Sequence, residues 1–139
     1  MANRMYPKGK SAIQRADVDL ESDDIRVILV DLADYTYSTA HDFLDDVPAG
    51  ARVATSGALG SKTVGSVAEG VFDAADVVFS SVSGDQAEAI IIYKHTGTES
   101  TSQLIAFLDT GVTGLPVLPN GENINLAWSA SGIFQFTDV

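Results

Sequence analysis

Apolar residues along this chain fall into short runs rich in β-branched side chains, separated by clusters of Gly, Ser, Thr, Asn and Asp. That alternation predicts strands joined by turns. Ile25–Asp31 (IRVILVD) is the first clear strand, and Asp34–Ser38 (DYTYS), where aromatic and polar residues alternate, extends or follows it. Ala75–Val82 (ADVVFSSV) predicts another, closed by a turn at Ser83-Gly84-Asp85. Ala87–His95 (AEAIIIYKH) is the strongest run. Its unbroken Ile90-Ile91-Ile92-Tyr93 needs cover on both faces, which places it inside a sheet. Thr96–Ser102 has turn chemistry around Gly97, so Leu104–Thr110 (LIAFLDT) should pair back as a hairpin. After a Gly/Pro loop at Gly111–Gly121, Asn123–Ser129 sets Ile124, Leu126 and Trp128 on one parity, and Ile133, Phe134 and Phe136 close the apolar pattern.

Helical signals are few. Tyr6–Ala16 suits a short helix with Pro7 in its first turn and Ala12, Ile13 and Ala16 on one face. Gly9 weakens it by about 1 kcal/mol relative to Ala. Thr39–Val47 predicts one helical turn, with Thr39 as N-cap, an apolar stripe of Phe43, Leu44 and Val47, and a stop at Pro48. Ala49–Gly70 is dominated by small residues. Ala51–Thr55 and Lys62–Val67 are weak strands broken at Gly57, Gly60 and Gly65, which predicts an exposed excursion that orders on assembly and adds little to the core. The expected fold is mainly β: a single-domain antiparallel β-sandwich or jelly-roll with a short N-terminal helix or arm. Residues 1–16 form the arm and 17–139 the sandwich domain.

Charge sharpens that division. Arg4, Lys8, Lys10 and Arg15 are four of the eight basic residues, and all nineteen acids follow them. A basic arm on an acidic body suggests an arm that reaches a partner. Its candidate interface residues are Arg4, Met5, Tyr6, Lys8 and Lys10, with Met5 and Tyr6 as apolar anchors. Tyr35 and Tyr37 are further candidates, because tyrosine tolerates one wet end, and Arg52 and Lys62 are candidates in the excursion. A net charge of −11 argues against nucleic acid or an anionic membrane as partner. The opening MANRMYPKGK lacks the apolar stretch of a signal peptide, and no apolar run is long enough to span a bilayer. At 139 residues the chain suits one domain with a core that needs no staples. The absence of cysteine excludes disulfides, thiolate metal sites and thiol nucleophiles.

Candidate chemistry is thin. Asp42, Asp45 and Asp46 lack the spacing of a calcium loop, and they read as a solvated helical face. Asp17, Asp19, Glu21, Asp23 and Asp24 read as a solvated turn. His41 and His95 are the only histidines and have neither the company of further metal ligands nor a serine motif. Ser61-Lys62-Thr63 lacks the glycine that precedes the lysine of a phosphate loop. Trp128 reads as a packing residue, with a sugar platform formed with Tyr35 and Tyr37 as the rival. The residues point to no enzyme, cofactor or metal.

Taken together, MANRMYPKG, IRVILVDLADYTY, HDFLDDVPAGARVATSGAL, GVFDAADVVFSSVSGDQAEAIIIYK and TGLPVLPNG resemble a family of small virion structural proteins of tailed bacteriophages, of the capsid decoration or cement type. The resemblance covers nearly the whole chain. It implies a non-enzymatic component of the phage head surface that binds the major capsid protein and stabilises the shell. It also implies self-association, with a homotrimer as one arrangement, and supplies no catalytic residues. Many weak contacts on a repetitive surface would add through avidity. The alternatives are a tail, neck or baseplate structural protein, and a carbohydrate-binding module displayed on the virion. One departure is the polar end Thr137–Val139, beyond the aromatic pair Phe134 and Phe136.

Overall fold

The structure is a computed structural model that describes residues 3–136. Met1, Ala2 and Thr137–Val139, parts of the expected arm and of the polar end, lie outside the described residues. The strands are β1 (Arg4–Met5), β2 (Ile25–Val30), β3 (Arg52–Thr55), β4 (Thr63–Val64), β5 (Val71–Asp73), β6 (Val77–Phe79), β7 (Ala89–Lys94), β8 (Leu104–Leu108), β9 (Ile124–Leu126) and β10 (Phe134–Gln135). One helix, α1 (Pro7–Gln14), follows β1, and three single 3-10 turns occupy Leu44–Asp46, Ala49–Ala51 and Glu99–Thr101. All strand pairing is antiparallel. A five-stranded sheet runs β1-β8-β7-β2-β3, a three-stranded sheet β10-β5-β4 and a ribbon β6-β9. The chain is mainly β, and its layers make a small β-sandwich-like domain.

The expected interior strand is the middle strand of the large sheet. Tyr93 pairs with Arg26 and Ala89 with Val30 on one side, while Ile91 pairs with Phe107 on the other. Because side chains alternate across a sheet, the isoleucine run feeds two cores. Ile90 and Ile92 join Val27 and Leu29 in the first, and Ile91 joins Ile28 and Val30 in the second. Strand β8 keeps both cores supplied through a bulge. Ile92 faces Ala106 while Tyr93 faces Leu104, so Ile105 is an extra residue, and both Ile105 and Ala106 lie in the first core.

The first core is closed by the opposing layer: Phe72 from β5, Val77 and Phe79 from β6, and Ile124 and Leu126 from β9. Helix α1 adds Ala12 to it. The second core is closed by irregular chain. Tyr35, Tyr37, Leu44, Val47 and Ala51 fold over the sheet together with Tyr6. Asp34–Ser38 follows β2 as a covering loop and does not extend it, since its tyrosines turn toward a core that no further strand reaches. Only Leu44–Asp46 of the predicted turn at Thr39–Val47 is helical. Thr39 does not cap it; Asp46 Oδ2 accepts instead from the Asp42 amide at 2.6 Å.

Two further expectations need correction. The first part of Ala49–Gly70 is integral to the large sheet. Strand β3 pairs with β2, the Ser56 hydroxyl accepts from the Val27 amide, the Leu59 amide donates to the Ile25 carbonyl, and Leu59 is buried. Backbone bonds to a buried strand supply what the small side chains lack. Exposed residues are scattered through Ala49–Ser61 but become continuous only in the later part, where every residue from Ser66 to Gly70 is open to solvent. The N-terminal arm is likewise part of the domain. Strand β1 pairs with β8, the Tyr6 amide donates to the Ile105 carbonyl at 2.9 Å, and Tyr6 is fully buried. Without β1, strand β8 would carry an open edge of five buried residues, and covering such an edge is worth more than reach.

Candidate interaction site

The first five candidate residues sit where β1 runs into α1, and they divide by role. Tyr6 points into the second core, where its ring lies 4.9 Å from that of Tyr37. Its hydroxyl is 2.8 Å from the Tyr35 hydroxyl, which is 2.8 Å from His41 Nδ1. The Tyr37 hydroxyl donates to the Met5 carbonyl at 2.9 Å, and Phe107 from β8 completes the cluster, with ring centroids 5.7 Å from Tyr37 and 6.4 Å from Tyr35. Burial pushes the hydroxyl pKa of Tyr6 far up and that of Tyr35 up to about 12, the latter against the opposing pull of the hydrogen bond it shares with Tyr6. Burial raises Tyr37 too, tempered by Arg4. Tyr6, Tyr35 and Tyr37 are thus internal packing groups, so neither the arm anchor expected of Tyr6 nor the interface role expected of Tyr35 and Tyr37 is available at the surface.

Arg4 is exposed, and its guanidinium carbon lies 5.2 Å from the centre of the Tyr37 ring. Met5 packs partly against the first core. Lys8 is 3.6 Å from Asp42, and Lys10 is exposed on α1 with no ion pair among the described residues. Arg52 and Lys62 are committed internally. Arg52 donates to the Leu44 and Val47 carbonyls and grips the Glu99 carboxylate with two nitrogens, at 2.9 and 3.0 Å. That grip holds the Glu99 carboxyl below its ordinary range. Lys62 donates to the Asp23 carbonyl. The acidic turn is tied down as well. Burial works against the charge of Asp23, but the Asp19 amide and Lys94 hold its carboxyl low, and a bidentate bond from Arg26 does the same for Asp24.

Between β1, α1, the end of β8 and β10 lies an open cleft of about 680 Å³. Its floor is apolar, from Leu108, Ile133 and Phe134, and its rim carries Asn3, Arg4, Lys10, Gln14 and Gln135. Phe136, exposed by 44%, stands at its mouth. The structure therefore brings Arg4, Met5 and Lys10 of the candidate set together at one surface. It leaves Lys8 outside the cleft and sends Tyr6 inward. The β10 side was missed in the sequence. Ile133-Phe134 announces an apolar end, yet its placement opposite β1 depends on pairing with β5 (Phe134 with Phe72), some sixty positions away.

Elsewhere, Asp31, Asp34 and Asp85 bring carboxylate oxygens within 4.8 Å of one another, the one candidate cation cluster among the described residues. Asp31 Oδ1 already accepts from the Ala33 amide. Trp128 is half-buried against the first core and donates from Nε1 to the Ala75 carbonyl. His95 lies 3.4 Å from the Tyr93 hydroxyl. No helix among the described residues is long and apolar enough to cross a membrane. No protein-family model matches the chain, and no curated protein sequence matches it.

Proposed function

We propose that this protein is a structural component of a tailed-bacteriophage virion: a decoration protein that binds the shell of major capsid protein at the head surface and stabilises it, without catalysis or a cofactor. The resemblance of its five sequence stretches supports the virion assignment. The observation that carries the binding role is the surface around β10. There Phe136, exposed by 44%, lines the cleft together with Arg4 and Lys10, and Val67, exposed by 43%, lies beside Phe134 and Gln135 of β10. Exposed apolar side chains beside basic ones are what a docking surface requires. Self-association, as a trimer on shell three-folds, belongs to the same reading because it would multiply individually weak attachments.

The test is a reconstruction of virions assembled with this chain, alongside its copy number by quantitative mass spectrometry. Density for the domain on the head surface, at a copy number commensurate with the shell subunits, is expected. Density confined to the tail, neck or baseplate, or no incorporation, overturns the assignment. Heads assembled without the chain should also rupture at lower temperature than decorated ones.

A further inference from the structure

We propose that the cleft between β1, α1 and β10 is a docking trough for an extended acidic segment of a partner protein, one that places an aliphatic or aromatic side chain beside a carboxylate. The inference goes beyond head attachment, because it concerns the chemistry the cleft takes wherever the protein resides.

Charge is the first argument. The chain has nineteen acids against eight bases, yet no acid lines the cleft among the described residues. Lys8, Arg15, Arg26, Arg52 and Lys94 are each paired with a carboxylate of this chain, and Lys62 is held by the Asp23 carbonyl. The two bases with no carboxylate partner among the described residues, Lys10 and Arg4, whose guanidinium rests on the Tyr37 ring, both line the cleft. A site whose described formal charges are all positive, on a molecule of net −11, selects a small anionic group and repels a large polyanion. Nucleic acid is disfavoured on that ground, since its binding needs many neutralised phosphates.

Shape and edges are the second argument. The trough is open and flanked by two strands that each end a sheet, β1 and β10. In β1 the Tyr6–Ile105 bond fixes the pairing phase, so the opposite pair, Met5 and Ala106, exchanges no bonds and Met5 turns its N–H and C=O outward. The carbonyl is taken by the Tyr37 hydroxyl, and the N–H has no acceptor among the described residues. An extended chain can meet that donor with a carbonyl, its carboxylates with Arg4 and Lys10, and its apolar side chains with Leu108, Phe134 and Phe136.

The test titrates the isotope-labelled full chain with a capped Asp-Leu-Asp-Leu-Asp-Leu peptide and with its Lys-for-Asp counterpart, read by amide chemical shifts. Shifts at Arg4, Met5, Lys10, Leu108, Phe134 and Phe136 are expected with the acidic peptide alone, weakening as salt rises. Lys10→Glu should weaken binding at least about tenfold. Arg4→Gln should weaken it less, and circular dichroism of both variants should match that of the parent. Equal binding of the lysine peptide, shifts centred elsewhere, no shift at millimolar peptide, or a cleft already covered by a second copy in sedimentation experiments would each overturn the proposal. Head decoration itself is tested separately by the virion reconstruction, which can succeed where the peptide titration fails.

Discussion

Tyr35 holds two partners at once, the Tyr6 hydroxyl and His41 Nδ1, each at 2.8 Å. Tyr35→Phe leaves the fully buried Tyr6 hydroxyl without a partner and should cost about 1–3 kcal/mol in urea unfolding at neutral pH. Replacing both tyrosines by Phe should recover part of that loss, because an apolar pair has nothing to satisfy. A neutral Tyr35→Phe would refute the linkage. The same burial makes the fold alkali-sensitive. Tyr6, Tyr35, Tyr37 and Tyr93 all have hydroxyl pKa values raised by burial. Above about pH 10 the unfolded chain loses these protons while the folded chain keeps them. The unfolded state then binds fewer protons, so stability falls as pH rises, by about 1.4 kcal/mol per pH unit for each tyrosine held protonated. Urea midpoints measured at about pH 9 and about pH 11 should differ steeply, and less so in the Tyr6→Phe/Tyr35→Phe variant. Matching midpoints would contradict the buried cluster.

At the scale of elements, α1 depends on the residue that its own propensity disfavours. A Cβ on Gly9 would strike the Leu104 carbonyl oxygen and come within 2.9 Å of Ile105 Cα, both backbone atoms of β8. Gly9 is therefore the contact through which helix and sheet edge approach, and a backbone cannot yield as a side chain can. Gly9→Ala gains about 1 kcal/mol in helix propensity and loses about 1–3 kcal/mol to overpacking. A net loss of stability is expected, and thermal unfolding reads it. Gly50→Ala, with no atom within 4 Å of the new methyl group, is the matching control and should change little. A stabilised Gly9→Ala would show that α1 can pack at a greater distance.

At the scale of the whole molecule, the N-terminal segment behaves as a structural member. Residues 1–10 include β1, the buried Tyr6 and the first turn of α1. Their removal exposes Phe107 and the tyrosine loop as well as the β8 edge. The arm predicted from charge should be dispensable to folding. The structure predicts instead that a chain lacking residues 1–10 loses near-ultraviolet dichroism and aggregates, as gel filtration would show. A monomeric, fully dichroic truncation would restore the arm. Attachment is accordingly better probed by Lys10→Glu, which leaves β1 in place.

Local pattern determined the strands whose residues are unambiguous on their own. Ile25–Val30, Ala89–Lys94 and Leu104–Leu108 are runs dominated by β-branched and aliphatic residues, too apolar for a surface strand. Their hairpin and the central place of the isoleucine run followed from the need to cover both faces. So did the mainly β class with one short helix opened by Pro7. Tertiary structure decided the rest, because it depends on pairs distant in sequence. Residues 4–5 become a strand only because β8 offers an edge. Tyr35 and Tyr37 are internal only because the second face of the sheet lacks another layer. Ala51–Leu59 is ordered by bonds to β2 that its small side chains do not announce. The cleft likewise exists only where β1 and β10, more than a hundred residues apart, end two different sheets side by side. Composition carries burial and period, whereas a surface is made by which edges meet, and long-range pairing alone sets that.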